Sequence, residues 1–326
     1  NILAYMGSLY RQAGDEEKAM SCIEQALAGV DLEHMPELAS AAVCYGMALL
    51  EKGEKEKAEE LLRDGVNRLG DNPTDVSYLV SALRELARLE QERGNMDEAI
   101  GLLYRAEGVA TGRIAASSPF WTMLYDQRGW LLFSKKMHTA AAKDFARALK
   151  DTHHPELLGQ PYEGAARCYM AQGKGKEAVA YLEKALELCR KHHPNAKKHL
   201  ARLHLLLGNA YDLASDLAKA VDAYKQAVEA LGEDSKDRIG AMISLGYALN
   251  QSSRWREAAE VWEDLMILTK GDGIKREEVR DQLDLCRRHG IGPRQNTENA
   301  DSAASSTSTS TSTKAPSSTP RSRNRH

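Results

Sequence analysis

The sequence of 326 residues predicts an all-α fold, a stack of about seven helical hairpins closed by one more amphipathic helix. Three observations predict it. A frame of small and large residues recurs seven times. A glycine falls at one fixed place inside several of these units. Proline and polar breakers separate one unit from the next.

The frame is seen by laying residues 3–27 over residues 203–228. Both carry a small residue, a large one three positions on, alanine at +12, a bulky residue at +16 and alanine at +19. The small residue recurs as Gly7, Gly46, Ala87, Gly129, Ala166, Gly208 and Gly246, at spacings of 39, 41, 42, 37, 42 and 38. Every unit has alanine at +12, and the +16 residue is Ile23, Leu62, Leu103, Phe145, Leu182, Tyr224 or Trp262. Small residues at +0, +12 and +19 let two helices cross closely, and the large residues fill the space beside the crossing. Gly14, Gly53, Gly94 and Gly173 all stand at +7, where a C-cap glycine ends the first helix. Each unit therefore reads as helix A, tight turn, helix B. One such pair cannot bury its apolar faces alone, so the pairs must stack.

The breakers lie between units, at Pro36, at residues 71–73, and at Pro119, Pro155 and Pro194. After the seventh unit, Val279, Leu283 and Cys286 share one helix face, and Gly290 and Pro293 end that helix. Residues 271–290 are expected to cap the stack, with residues 1–270 holding the repeats. From 302 to 319, 13 of 18 residues are Ser or Thr, so no apolar face can form. Residues 291–326 are expected to be a disordered tail of net charge +3, leaving about −6 on the rest of a chain whose total is −3.

These units resemble the tetratricopeptide repeat in its long-period form, since the standard repeat is about 34 residues. Arrays with His-Pro in the loops are similar to those of kinesin light chains, G-protein-signalling modulators and the sensor arms of signal-transducing ATPases. The resemblance implies a right-handed α-solenoid whose helices A line a concave groove that binds proteins or peptides. On that face the frame places Arg84, Arg88, Trp130, Arg167, Asn209, Tyr247 and Asn250. Trp and Arg are the side chains most enriched in binding hot spots, and Arg offers a fork to carboxylates. The expected ligand is therefore extended and acidic, with an apolar anchor. The competing reading is that Trp130 packs within its own hairpin and the arginines pair with Glu85, Asp126 and Glu163. Co-chaperone repeats hold a carboxylate with Lys and Asn on a first helix A, Asn on the second, and Lys and Arg on the third. Asn209 matches the first Asn, but Leu205 stands at the first Lys and Ser244 at the second Asn, so that clamp is not expected.

No Walker, HExxH, GxSxG or dinucleotide motif occurs, so neither catalysis nor a cofactor is expected. The histidine pairs 153–154 and 192–193 sit in loops beside proline and are not expected to bind metal. The charge argues against nucleic acid as a partner, and a mean hydropathy of −0.51 argues against a membrane span. Five scattered cysteines without CxxC fit a reducing, cytoplasmic setting. The leading expectation is a non-catalytic interaction scaffold. The second is a sensor arm preceded by an ATPase, DNA-binding or kinase domain, because Asn1 already lies in a helical pattern. A self-associating assembly subunit is the third.

Overall fold

The computed structural model describes residues 3, 6–7, 9–10, 13, 15–27, 39–70, 76–150, 153–232, 236–269 and 273–290. Gly14, the breakers at 36 and 71–73, and the tail from 291 lie outside them. The fold is all-α, and no strand occurs among the described residues.

Two compact units are present, residues 1–254 and 255–326. The first holds α1 (Glu16–Leu27), α2 (Ala39–Lys52), α3 (Lys55–Leu69), α4 (Val76–Arg93), α5 (Met96–Ala110), α6 (Pro119–Ser134) and α7 (His138–Ala148). It continues with α8 (Gly159–Ala171), α9 (Gly175–His192), α10 (Lys197–Leu213), α11 (Leu217–Ala230) and α12 (Lys236–Gln251). The second holds α13 (Trp255–Leu268) and α14 (Gly273–Gly290). The division falls inside the seventh expected hairpin, between its helix A, α12, and its helix B, α13.

Within the first unit, α2/α3, α4/α5, α6/α7, α8/α9 and α10/α11 are antiparallel hairpins, and each helix B packs on the next helix A. The frame explains the crossings. A Cβ placed on Gly129 would meet Phe145 Cε1 at 2.7 Å, and one on Gly46 would meet Leu62 Cγ at 3.0 Å. Gly7 faces Ile23 and Gly208 faces Tyr224 in the same +0 to +16 relation. Phe145 is held from a second side by Gly164 of the following hairpin. The alanines at +12 and all the +16 residues are buried.

The turn at +7 is equally regular. Gly53, Gly94 and Gly173 have φ of 86°, 87° and 75°. Units lacking glycine there keep the conformation: Lys136, Ser215 and Ser253 have φ of 61°, 62° and 57°. The turn is thus dictated by the hairpin geometry, and glycine only makes it cheaper.

Two polar networks tie neighbouring hairpins together. Arg128 is wholly buried and donates to Asp144 at 2.6 and 3.0 Å and to Glu107 at 2.6 Å, joining α6, α7 and α5. Glu90 occupies a +3 position where large apolar residues such as Leu49 and Leu132 stand in other hairpins. It is buried, and accepts from Arg63, from Arg93 at 3.4 Å and from Asn95 at 2.7 Å. In the second unit Val279, Leu283 and Cys286 are buried, and Trp255 stacks on His289 at 4.7 Å.

Candidate functional site

The helices A of successive hairpins lie side by side, α6 against α8 and α8 against α10. Polar side chains step across them. Gln127 on α6 donates to the Arg84 carbonyl on α4 at 3.2 Å. The Arg167 guanidinium on α8 lies 5.9 Å from the centre of the Trp130 ring on α6. Arg202 on α10 donates to Glu163 on α8 at 2.9 Å, and His199 approaches the same carboxylate at 3.4 Å.

Asp126 is at the centre of this ladder. The Trp130 indole N–H donates to its Oδ1 at 3.1 Å. Burial pushes its carboxyl up to about 7, with the Glu163 charge adding and Arg84 opposing. Arg84 is desolvated as well, which lowers its affinity for the proton. Its Nη1 meets only the Met123 sulfur, at 3.9 Å, and its buried Nε has no hydrogen-bond partner among the described residues. Beside Asp126 and the exposed Met123 opens a cavity of about 410 Å³, walled by Leu157, Leu188, Cys189, His193 and His199. Cysteine and histidine can ligate metals, but among the described residues no three such ligands converge on one point.

The structure places Arg84 and Trp130 beside Asp126, with Arg167 over the Trp130 ring. Trp130 is half-buried, edge-on to Phe145 at 5.3 Å and to Phe133 at 6.0 Å. Arg167 pairs with Glu163 at 2.9 Å, as the competing reading expected. Arg88 stands apart, its ion pairs being with Glu85 at 2.9 Å and Glu92 at 2.6 Å on its own helix. Asn209 is half-buried on α10, and its amide oxygen accepts from the Tyr224 hydroxyl at 2.7 Å. Tyr247 is half-buried on α12. Asn250 departs from expectation: it is buried and interacts within the chain, so it is not offered on the open face.

His199 and Arg202 were missed in the sequence. They precede Gly208 by nine and six residues, one to two turns ahead of the rows from which the site was read. Stepping back along the same helix face would have found them.

Comparisons with known proteins agree with this architecture. Two tetratricopeptide repeat families match, one over residues 158–233 and one over residues 4–28. Comparison with curated protein sequences finds no match. Among solved structures, PilF of Pseudomonas aeruginosa is similar at 18% identity and a TM-score of 0.54, over 76% of this chain and 99% of that one. Kinesin light chain-type repeats of Podosopora anserina are similar at 21% identity and a TM-score of 0.52, over 58% and 94%. A signal transduction ATPase with numerous domains and a tetratricopeptide repeat sensor, from Pyrococcus horikoshii, is similar at 15% identity and a TM-score of 0.60, over 91% of this chain and 44% of that one. The family matches and the likeness of fold support an array of tetratricopeptide repeats. Among its described residues no helix is long and apolar enough to cross a membrane.

Proposed function

We propose that the protein is a non-catalytic, cytoplasmic scaffold that binds an extended, acidic segment of a partner protein across the helix A face of α4, α6, α8 and α10. The observation that carries this is Arg84. A desolvated guanidinium that makes no ion pair among the described residues, its Nη1 meeting only the sulfur of the exposed Met123 at 3.9 Å, can turn its Nη groups to a ligand carboxylate at the edge of the cavity that Met123 lines. Asp126 opposes such a ligand only in part, because its raised value leaves it substantially protonated near neutrality. The cavity beside it takes the apolar anchor, and Trp130 holds Asp126, which lines that cavity, through its indole N–H.

The test is selection from a random peptide display library, followed by binding of the enriched peptides to Trp130→Ala and Arg84→Gln. Enrichment of acidic peptides that both variants lose supports the reading. Enriched peptides that bind both variants as well as wild type would overturn it. The second reading, a sensor arm of a larger protein, draws on likeness of fold to the ATPase sensor; the full reading frame decides it.

A further inference from the structure

A second cavity, of about 880 Å³, opens between the segment that joins α5 to α6 and the end of α7. Two aromatic rings of α6, Trp121 and Tyr125, line it together with Arg147, Lys150 and His153. The rest of the lining is Thr122 and small, aliphatic or hydroxyl-bearing residues between 111 and 117. Among the described residues no carboxylate lines it. Of its lining, only Thr122 also lines the cavity beside Asp126.

The walls are held in place. The Trp121 ring stacks on Tyr125 at 6.0 Å and meets Phe120 edge-on at 5.2 Å. Its indole N–H donates to the Ala115 carbonyl at 3.1 Å. His154 Nε2 lies 3.2 Å from the Ser117 carbonyl, which ties the chain after α7 to the chain before α6. Tyr125 is fixed in turn. The Arg128 and Arg147 guanidinium groups lie 5.5 and 5.4 Å from its ring centre, and its hydroxyl donates to Glu107 at 3.1 Å. Small-molecule sites have volumes of about 300–1,000 Å³, and this cavity falls among the larger of them.

The charge around it is unbalanced. Glu107 and Asp144 stand outside the lining, and the buried Arg128 binds both at 2.6 Å. Arg147 reaches the same two carboxylates only at 3.2 and 3.6 Å, and its side chain is 49% exposed. Lys150 is exposed and makes no ion pair among the described residues. Three cations thus face two carboxylates, an excess of one positive charge on the side of the cavity. His153 is engaged within the chain and is left out of that count.

We infer that this cavity binds a nucleoside phosphate, with the base against Trp121 and the phosphate at Arg147 and Lys150. The site is apart from the peptide face described under Proposed function and does not depend on it. Every base has a π-face that an indole can stack on, and a guanidinium offers a fork to phosphate oxygens. The exposed Thr111 and Ser117 hydroxyls line the same cavity and can bond the sugar. One excess charge at one pocket suits a single nucleotide. A polynucleotide would need a run of cations along its phosphates, and the chain as a whole carries −3. A phosphotyrosine side chain also offers a ring and a phosphate, but it lacks the sugar and fills less of the cavity.

The experiment titrates the full chain by calorimetry with AMP, GMP, CMP and UMP, with the four nucleosides, with inorganic phosphate and with phosphotyrosine. At least one nucleotide is expected to bind about tenfold or more tighter than its nucleoside or inorganic phosphate, in line with the loss of a charged contact or of a stacked base. Lys150→Glu should weaken that binding about fivefold or more, through Coulomb repulsion of the phosphate. Its melting temperature should stay that of wild type, because Lys150 is exposed. Trp121→Leu should remove the preference for the nucleotide over inorganic phosphate; if that variant melts lower, Lys150→Glu decides alone. Absence of nucleotide binding, or binding that Lys150→Glu leaves unchanged, would overturn the inference. So would inorganic phosphate binding as tightly as the nucleotides, which marks a bare anion site. Phosphotyrosine binding more tightly than every nucleotide would overturn it too, with a phosphorylated peptide as the occupant.

Discussion

Gly208 lies directly under the ring of Tyr224: a methyl group on its Cα would reach 2.5 Å from Cδ1, while the Tyr224 hydroxyl bonds Asn209 at 2.7 Å. One close approach thus sets the crossing of α10 on α11 and fixes a polar side chain on the helix A face. The +0 to +16 contact recurs at Gly46 and Leu62 and at Gly129 and Phe145.

Gly208→Leu should therefore force the hairpin apart. Overpacking of this kind costs about 1–3 kcal/mol, and a thermal melt checks it. Because the Tyr224–Asn209 bond depends on the same crossing, the variant should also lose peptide affinity.

The left-handed turn residues give a paired prediction. Gly94→Ala should destabilise by about 1 kcal/mol, because a side chain is strained at φ of 87°. Ser215→Gly should stabilise by up to about 1 kcal/mol, since the backbone there is already left-handed. Urea unfolding of both variants checks the sign of each.

Arg128→Met should cost about 3–5 kcal/mol, because it leaves the buried Asp144 with only the longer Arg147 pair, at 3.6 Å. Adding Asp144→Leu should recover most of that loss, and a double-mutant cycle measures it. Failure of the second change to rescue would mean that the network is not held together chiefly by this pair.

Asp126 makes stability and binding depend on pH. Its folded value of about 7 lies above the ordinary carboxylate range near 4, so between these limits the native state holds a proton that the unfolded chain has lost. The contribution of this group to stability should fall as pH rises across that window and level off above it. Asp126→Asn keeps an acceptor for the Trp130 indole and should flatten the fall. An acidic ligand repels the ionised carboxylate, so wild-type affinity for it should drop between pH 6 and 8 more steeply than that of Asp126→Asn.

The repeat frame was legible in the sequence because each of its contacts joins positions at fixed offsets within one hairpin, and seven copies repeat it. The +7 turn was legible even where Lys136 and Ser215 replace glycine, since the frame fixes the place. Arg128, Glu107 and Asp144 were not legible, because their burial depends on three helices from two hairpins. The same holds for the raised value at Asp126, which arises where α4, α6 and α8 meet. Of the expected site residues, Arg84, Trp130 and Arg167 are grouped, whereas Arg88 is engaged on its own helix and Asn250 is buried.

The most direct test of the account is an equilibrium titration of one acidic and one basic peptide of equal length, each with a single apolar residue, against wild type and Trp130→Ala. The account predicts that wild type prefers the acidic peptide, that added salt reduces this preference, and that Trp130→Ala removes about 2 kcal/mol or more of its binding. Equal binding of the two peptides, or unchanged binding by Trp130→Ala, would contradict it.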